Sequence, residues 1–119
     1  MKTIIFLFLF SFSTISSVHA ESGQDWLSYC ESNKNTDESY CYGYLRGLID
    51  MYSSIREDLL YFEKIPYLIC LPPNMTLDQM EKIMRKYLND NPEQLHINMT
   101  TLYQRKMMMT FPCKKQDKK

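Results

Sequence analysis

The residues best able to do chemistry in this 119-residue chain are four cysteines, Cys30, Cys41, Cys70 and Cys113, with His96, some carboxylates and a set of methionines. Cysteines in a reducing compartment suggest metal ligands. In an oxidising one an even number implies two disulfides, and four cysteines permit three pairings. The first twenty residues decide between these. Lys2, an apolar run from Ile4 to Phe12 and small residues ending in Val18-His19-Ala20 read as a removable secretion signal, residues 1–20, cut after Ala20. The run is shorter than the roughly 20 apolar residues that span a bilayer, and no second such run follows, so no membrane insertion is expected after signal removal. No cysteine follows Ala20 directly, which argues against a lipid anchor there. The expected product is a soluble, disulfide-bonded domain, residues 21–119, in the periplasm or outside the cell.

The remaining reactive types are read more simply. His96 could be a general base or a ligand, but a base needs a nucleophile and an orienting partner, which the sequence does not display. A structural hydrogen bond is expected of it instead. Asp50 and Glu57 could share a helix face, yet nothing buries them together to part their pKa values, and with Asp58 and Glu63 they read as solvated surface. Met99 and Met107-Met108-Met109 beside His96 could form a soft Cu(I) site. Methionine at helical spacing reads better as flexible core or adaptable contact surface. No catalytic, cofactor or metal residue is expected. Gly43 and Gly47, spaced as GxxxG, would let a neighbouring helix approach closely. Asn74-Met75-Thr76 and Asn98-Met99-Thr100 match the glycosylation pattern but read as incidental, the second as mid-helix. Charge is balanced at 14 basic and 14 acidic residues. Loss of Lys2 tips it slightly negative, so nothing favours nucleic acid or an anionic membrane. The basic tail, residues 114–119, reads as a solvated terminus.

The elements that must carry these residues are helical, giving a small all-α bundle of about four helices in a single domain. A short helix is expected from Gln24 to about Glu31. A long one begins at Cys41, with Tyr44, Leu45, Leu48, Met51, Tyr52, Ile55, Leu59 and Phe62 at three-and-four spacing on one buried face. Pro66 and Pro72-Pro73 interrupt the pattern. Thr76 and Gln79 form a capping box for a third helix burying Leu77, Met80, Ile83, Met84, Tyr87 and Leu88. Asn91 then caps a fourth helix with Pro92 at its first position, burying Leu95, Met99, Leu102 and Met109 until Pro112 ends it. A short turn makes the third and fourth helices antiparallel, so Cys70 and Cys113 become neighbours. Cys30 ends the first helix where Cys41 begins the next. The expected pairs are Cys30 with Cys41 and Cys70 with Cys113.

Taken in order, Cys41-Tyr42-Gly43-Tyr44-Leu45-Arg46-Gly47-Leu48-Ile49-Asp50, Cys70-Leu71-Pro72-Pro73 with Thr76 and Gln79, Tyr87-Leu88, Asn91-Pro92-Glu93-Gln94-Leu95-His96 and Phe111-Pro112-Cys113 resemble the Rap/Tai family of type VI secretion immunity proteins. The resemblance runs from about Cys30 to Cys113. It departs from the commoner pattern at Asn91, where a histidine is frequent. It implies a small, disulfide-bonded, all-helical periplasmic protein, in several members a homodimer. The implied function is non-catalytic: inhibition of a peptidoglycan amidase, an NlpC/P60-like effector, by a protruding segment that enters or covers its cleft. The matching motifs look structural, so no inhibitory contact carries over from them.

Two stretches of this chain are candidate contacts in their own right. The connection Tyr61 to Leu68 holds Tyr61, Phe62, Ile65, Tyr67 and Leu68, more apolar than a loop requires, although they could equally cover the core. The turn Asn89, Asp90 and Asn91 is the second. A periplasmic acid-stress chaperone is the alternative function, since it too is a compact helical disulfide protein. It would expose apolar surface as its carboxylates lose charge on acidification, whereas an immunity protein holds one partner at neutral pH.

Overall fold

The computed structural model of the protein describes residues 19–61 and 69–114, with the backbone alone between 57 and 61. Four α-helices are present among the described residues: α1 Gly23–Glu31, α2 Asn35–Tyr61, α3 Leu77–Asp90 and α4 Met99–Thr110.

Helix α1 starts at a capping box that the sequence reading did not single out. Ser22 Oγ accepts from the Asp25 amide at 3.1 Å, and the Asp25 carboxylate accepts from the Ser22 amide at 3.3 Å. The helix is short but central, packing against all three others. Trp26 is fully buried, and its indole N–H donates to the Cys41 carbonyl at 3.1 Å, tying α1 to α2. At the other end of α1, Arg85 of α3 donates to the Cys30 carbonyl at 2.8 Å. That carbonyl is among the last of the helix and has no partner within it, so the arginine satisfies it from outside.

Helix α2 begins at Asn35, not at Cys41, because acids suit the positive end of a helix and Asp37 and Glu38 occupy its first turn. Cys41, Leu45 and Leu48 form its buried stripe, with Tyr44, Ile49 and Tyr52 packed beside it. Met51 and Ile55, expected inside, are 41% and 38% exposed. Leu59 and Phe62 of the expected face lie outside the described side chains.

Helix α3 follows the expected capping box, with the Gln79 amide donating to Thr76 Oγ1 at 3.2 Å and the Thr76 amide to the Gln79 side chain at 2.9 Å. It buries Met80, Met84, Tyr87 and Leu88 as expected, and also Glu81.

The expected fourth helix from Pro92 does not form as one piece. Asn91 caps no helix start; its side chain turns back to donate to the Tyr87 carbonyl at 2.8 Å, finishing α3. Pro92–Gln94 make one 3-10 turn, and α4 starts only at Met99, with Asn98 at its N-cap rather than mid-helix. The reason lies in α1. The Gly23 and Gln24 amides take the carbonyls of Ile97 and Leu95, both at 2.9 Å, and the Glu21 carbonyl takes the Met99 amide at 2.7 Å. Backbone groups engaged with α1 cannot also continue a helix ladder. Gly23 makes the approach possible, since a Cβ there would lie 2.6 Å from Leu102 Cδ1. Met99, Leu102, Tyr103 and Met107 are buried on α4, while Met109, expected inside, is 64% exposed.

Both disulfides pair as expected, Cys30 with Cys41 and Cys70 with Cys113, with Cα separations of 5.0 and 4.9 Å. The second closes the end of α4 onto the segment before α3, where the Cys70 amide also donates to the Phe111 carbonyl at 2.9 Å.

Candidate partner-binding surface

The types that could do chemistry are spread apart. His96 is exposed in the turn before α4, and the structural hydrogen bond expected of it is absent among the described residues. Cys30 and Cys41 lie with buried Glu81 in a cluster close enough to hold a metal ion, but both sulfurs are joined in the disulfide. Met99 and Met107 belong to the core, whereas Met108 and Met109 line a surface hollow on α4 with Thr101, Gln104 and Arg105. Asp50 pairs with Arg46 at 3.4 Å on the open face of α2, as solvated surface should.

Of the expected contact residues, Tyr61 ends α2 and its side chain is not described; Phe62, Ile65, Tyr67 and Leu68 lie outside the described residues. Asn89, Asp90 and Asn91 do form an outer corner, yet each is engaged. Asn89 donates to Glu31 at 3.4 Å, Lys86 to Asp90 at 2.7 Å, and Asn91 holds Tyr87. This corner braces α3.

Two other surfaces were missed in the sequence. One is aromatic. Tyr29, Tyr40 and Tyr44 gather where α1 meets α2, with ring centroids 4.2 Å apart for Tyr29–Tyr40 and 6.1 Å for Tyr40–Tyr44. Burial, then the hydrogen bond and charge of Glu21, push Tyr40 up to about 12. Gly43 and Gly47 lie on the exposed side of the same helix with nothing within 4 Å of either Cβ position. Among the described residues no helix approaches them, which overturns the close packing expected of this pair. Its i, i+4 tyrosines were the available signal, since such spacing stacks rings on one face.

The other surface is a groove between α2 and the segment Ile69–Met80. It consists of two cavities of about 220 Å³ each that share Ile49 and Leu71. The first has Met75, Leu77 and Met80 on its walls and the Arg46–Asp50 pair at its rim. The second is bounded by Tyr52, Ser53, Arg56, Ile69 and Tyr103. Tyr103 is fully buried, 5.4 Å from the Tyr52 ring, and its hydroxyl has no hydrogen-bond partner. Burial and then Tyr52 push it up to about 12. Beside the first cavity, Tyr42 donates to Asp78 at 3.3 Å, and Lys82 at 2.8 Å holds the Asp78 carboxyl below its usual range. No periodicity reveals such a groove, because it joins residues far apart in the chain.

Fold and surface together define a small all-α domain, stapled by two disulfides. The chain belongs to the Rap1a immunity protein family, whose model matches residues 22–113. No curated protein and no solved structure matches it. The resemblance read from its motifs is therefore a family relation. No described helix is long and apolar enough to cross a membrane.

Proposed function

We propose that this protein is a periplasmic immunity protein that binds and inhibits a peptidoglycan amidase, an NlpC/P60-like effector of a type VI secretion system, and so protects its own cell and kin. The observation that carries this reading is the family match over residues 22–113, which takes in every described helix and both disulfides. It acts by binding, without catalysis of its own. An inhibitor benefits from a surface ordered before its partner arrives, because less freedom is then lost on association. Two staples in so small a domain supply that order. Residues 1–20 act as the export signal, and an oxidising compartment keeps both cystines intact.

The test is affinity capture with oxidised residues 21–119 in a lysate of the source cell, followed by assay of peptidoglycan hydrolysis by what is retained. One hydrolase retained at neutral pH and silenced at stoichiometric bait is the expected result. Retention of many unrelated proteins at low pH, with no hydrolase at neutral pH, would replace the reading with a chaperone. Sedimentation of the same preparation reports whether the protein is a homodimer.

A further inference from the structure

The two cystines hold different things. Cys30–Cys41 lies in the core, at 8% and 1% exposure, where the Trp26 indole also ties α1 to α2 through the Cys41 carbonyl. Cys70–Cys113 is half-buried and joins the end of α4 to the stretch Ile69–Met75. That stretch is one wall of the groove: Ile69 and Leu71 line the second cavity, Leu71 and Met75 the first. The wall cannot brace itself. Pro72 and Pro73 have no amide to donate, and the Met75 amide turns back to the Pro72 carbonyl at 3.1 Å, within the stretch. Among the described residues, one hydrogen bond joins the wall to another part of the domain, from the Cys70 amide to the Phe111 carbonyl at 2.9 Å, beside the bridge of Ile69 with Pro112. Burial adds little, since only Ile69 of the seven is in the core and Pro72, Pro73 and Asn74 are exposed. A single hydrogen bond, open to competition from water, is a weak hold beside a covalent bond between residues 43 apart in the chain.

We infer that Cys70–Cys113 is a redox latch on the groove: closed, it holds the wall Ile69–Met75 opposite α2, and reduction by a dithiol releases the wall while the core about Trp26 stays folded. The step is thiol–disulfide exchange. A thiolate of the dithiol attacks one cystine sulfur, its second thiol resolves the mixed disulfide, and two cysteine thiols and a cyclic disulfide result, the two protons of the dithiol passing to the cysteines. The groove is therefore complete in an oxidising compartment and loses a wall in a reducing one. The inference goes beyond the immunity reading and stands without it. To test it, the oxidised protein is treated with graded dithiothreitol at neutral pH, opened cystines are identified by alkylation and mass spectrometry, and a parallel sample is followed by two-dimensional NMR with amide hydrogen exchange. With Cys70 and Cys113 reduced and Cys30–Cys41 intact, the Cys70 amide should exchange about a hundredfold faster. Signals of Ile49, Tyr52, Leu71 and Met75 should shift, the Trp26 indole proton should keep its position and protection, and reoxidation should restore the first spectrum. Cys70→Ser together with Cys113→Ser, which leaves the other cystine in place, should reproduce the reduced spectrum without any reductant. Unchanged groove signals in either sample would overturn the inference, because the wall would then stand without its latch. So would loss of the Trp26 indole signal along with those of the groove, which would make the cystine a staple of the whole fold, or opening of Cys30–Cys41 first.

Discussion

Glu81 is the one charged side chain buried among the described residues, at 2% exposure, and Arg85 one turn on is what permits it. A buried carboxylate without its partner keeps the cost of desolvation and loses the attraction that offset it. Arg85→Ala should therefore destabilise by about 3 kcal/mol or more, because it also strips the Cys30 carbonyl of its donor. Replacing Glu81 and Arg85 together by methionine should cost less than Arg85→Ala alone in urea unfolding of the oxidised protein. The three glycines predict opposite signs. Gly23→Ala drives a methyl into Leu102 and should destabilise by about 1–3 kcal/mol. Gly43→Ala and Gly47→Ala meet open space inside a helix and should each stabilise by about 0.5–1 kcal/mol. Tyr103 predicts alkaline sensitivity. Its pKa rises from 10.0 unfolded to about 12 folded, so between these values the unfolded chain releases a proton that the folded one retains. Stability is thus unaffected at neutral pH and falls as pH climbs from 10 through about 12, by up to about 3 kcal/mol. Tyrosinate absorbance should appear together with loss of helical circular dichroism, and Tyr103→Phe should remove this part of the decline.

The helices show which physical signals survive in a single chain. The Thr76–Gln79 box and the apolar period of α3 were legible because both are local: cap and face lie within one element. The starts of α2 and α4 were not. Reading α2 from its first apolar residue overlooked the acids that precede it, and α4 was misplaced because α1, far off in the chain, occupies the backbone groups of Leu95 and Ile97. The cystine pairing was legible since helix order alone constrained it. The two cystines should nevertheless differ in behaviour. Closing loops of 11 and 43 residues, they are worth about 3 and 4 kcal/mol in the chain-entropy model. The more valuable one is also the more accessible: Cys70 and Cys113 are half-buried, whereas Cys30 and Cys41 lie in the core. Graded reduction with alkylation and mass spectrometry should label Cys70 and Cys113 first, with α4 the first element to become sensitive to protease. Labelling of Cys30 and Cys41 first would contradict this order of protection.

For the molecule entire, family and architecture were legible in ordered motifs, but its groove and its tyrosine cluster were not. The groove beneath Tyr103 requires α2, α4 and the Ile69–Leu71 segment at once, and the tyrosine cluster requires α1 against α2. The asymmetry of the two chain ends gives a further prediction. Deleting residues 114–119, beyond the family match, should leave the unfolding midpoint unchanged within about 0.5 kcal/mol. Deleting residues through Ser22 removes the cap of α1 and the Glu21–Met99 bond, and should cost about 2 kcal/mol in the same measurement. That clamp also sets a timetable. A chain is made from its amino end, so α1 emerges first yet waits for α4, the last helix made, to seat it. The Cys30–Cys41 cystine needs only α1 and the start of α2, and closes once these reach an oxidising compartment. The second must wait for Cys113, and until then Trp26 and its neighbours have only part of their cover. A chain whose clamp closes only at its last helix stays unfolded until nearly all of it has been made, which suits the export proposed for it.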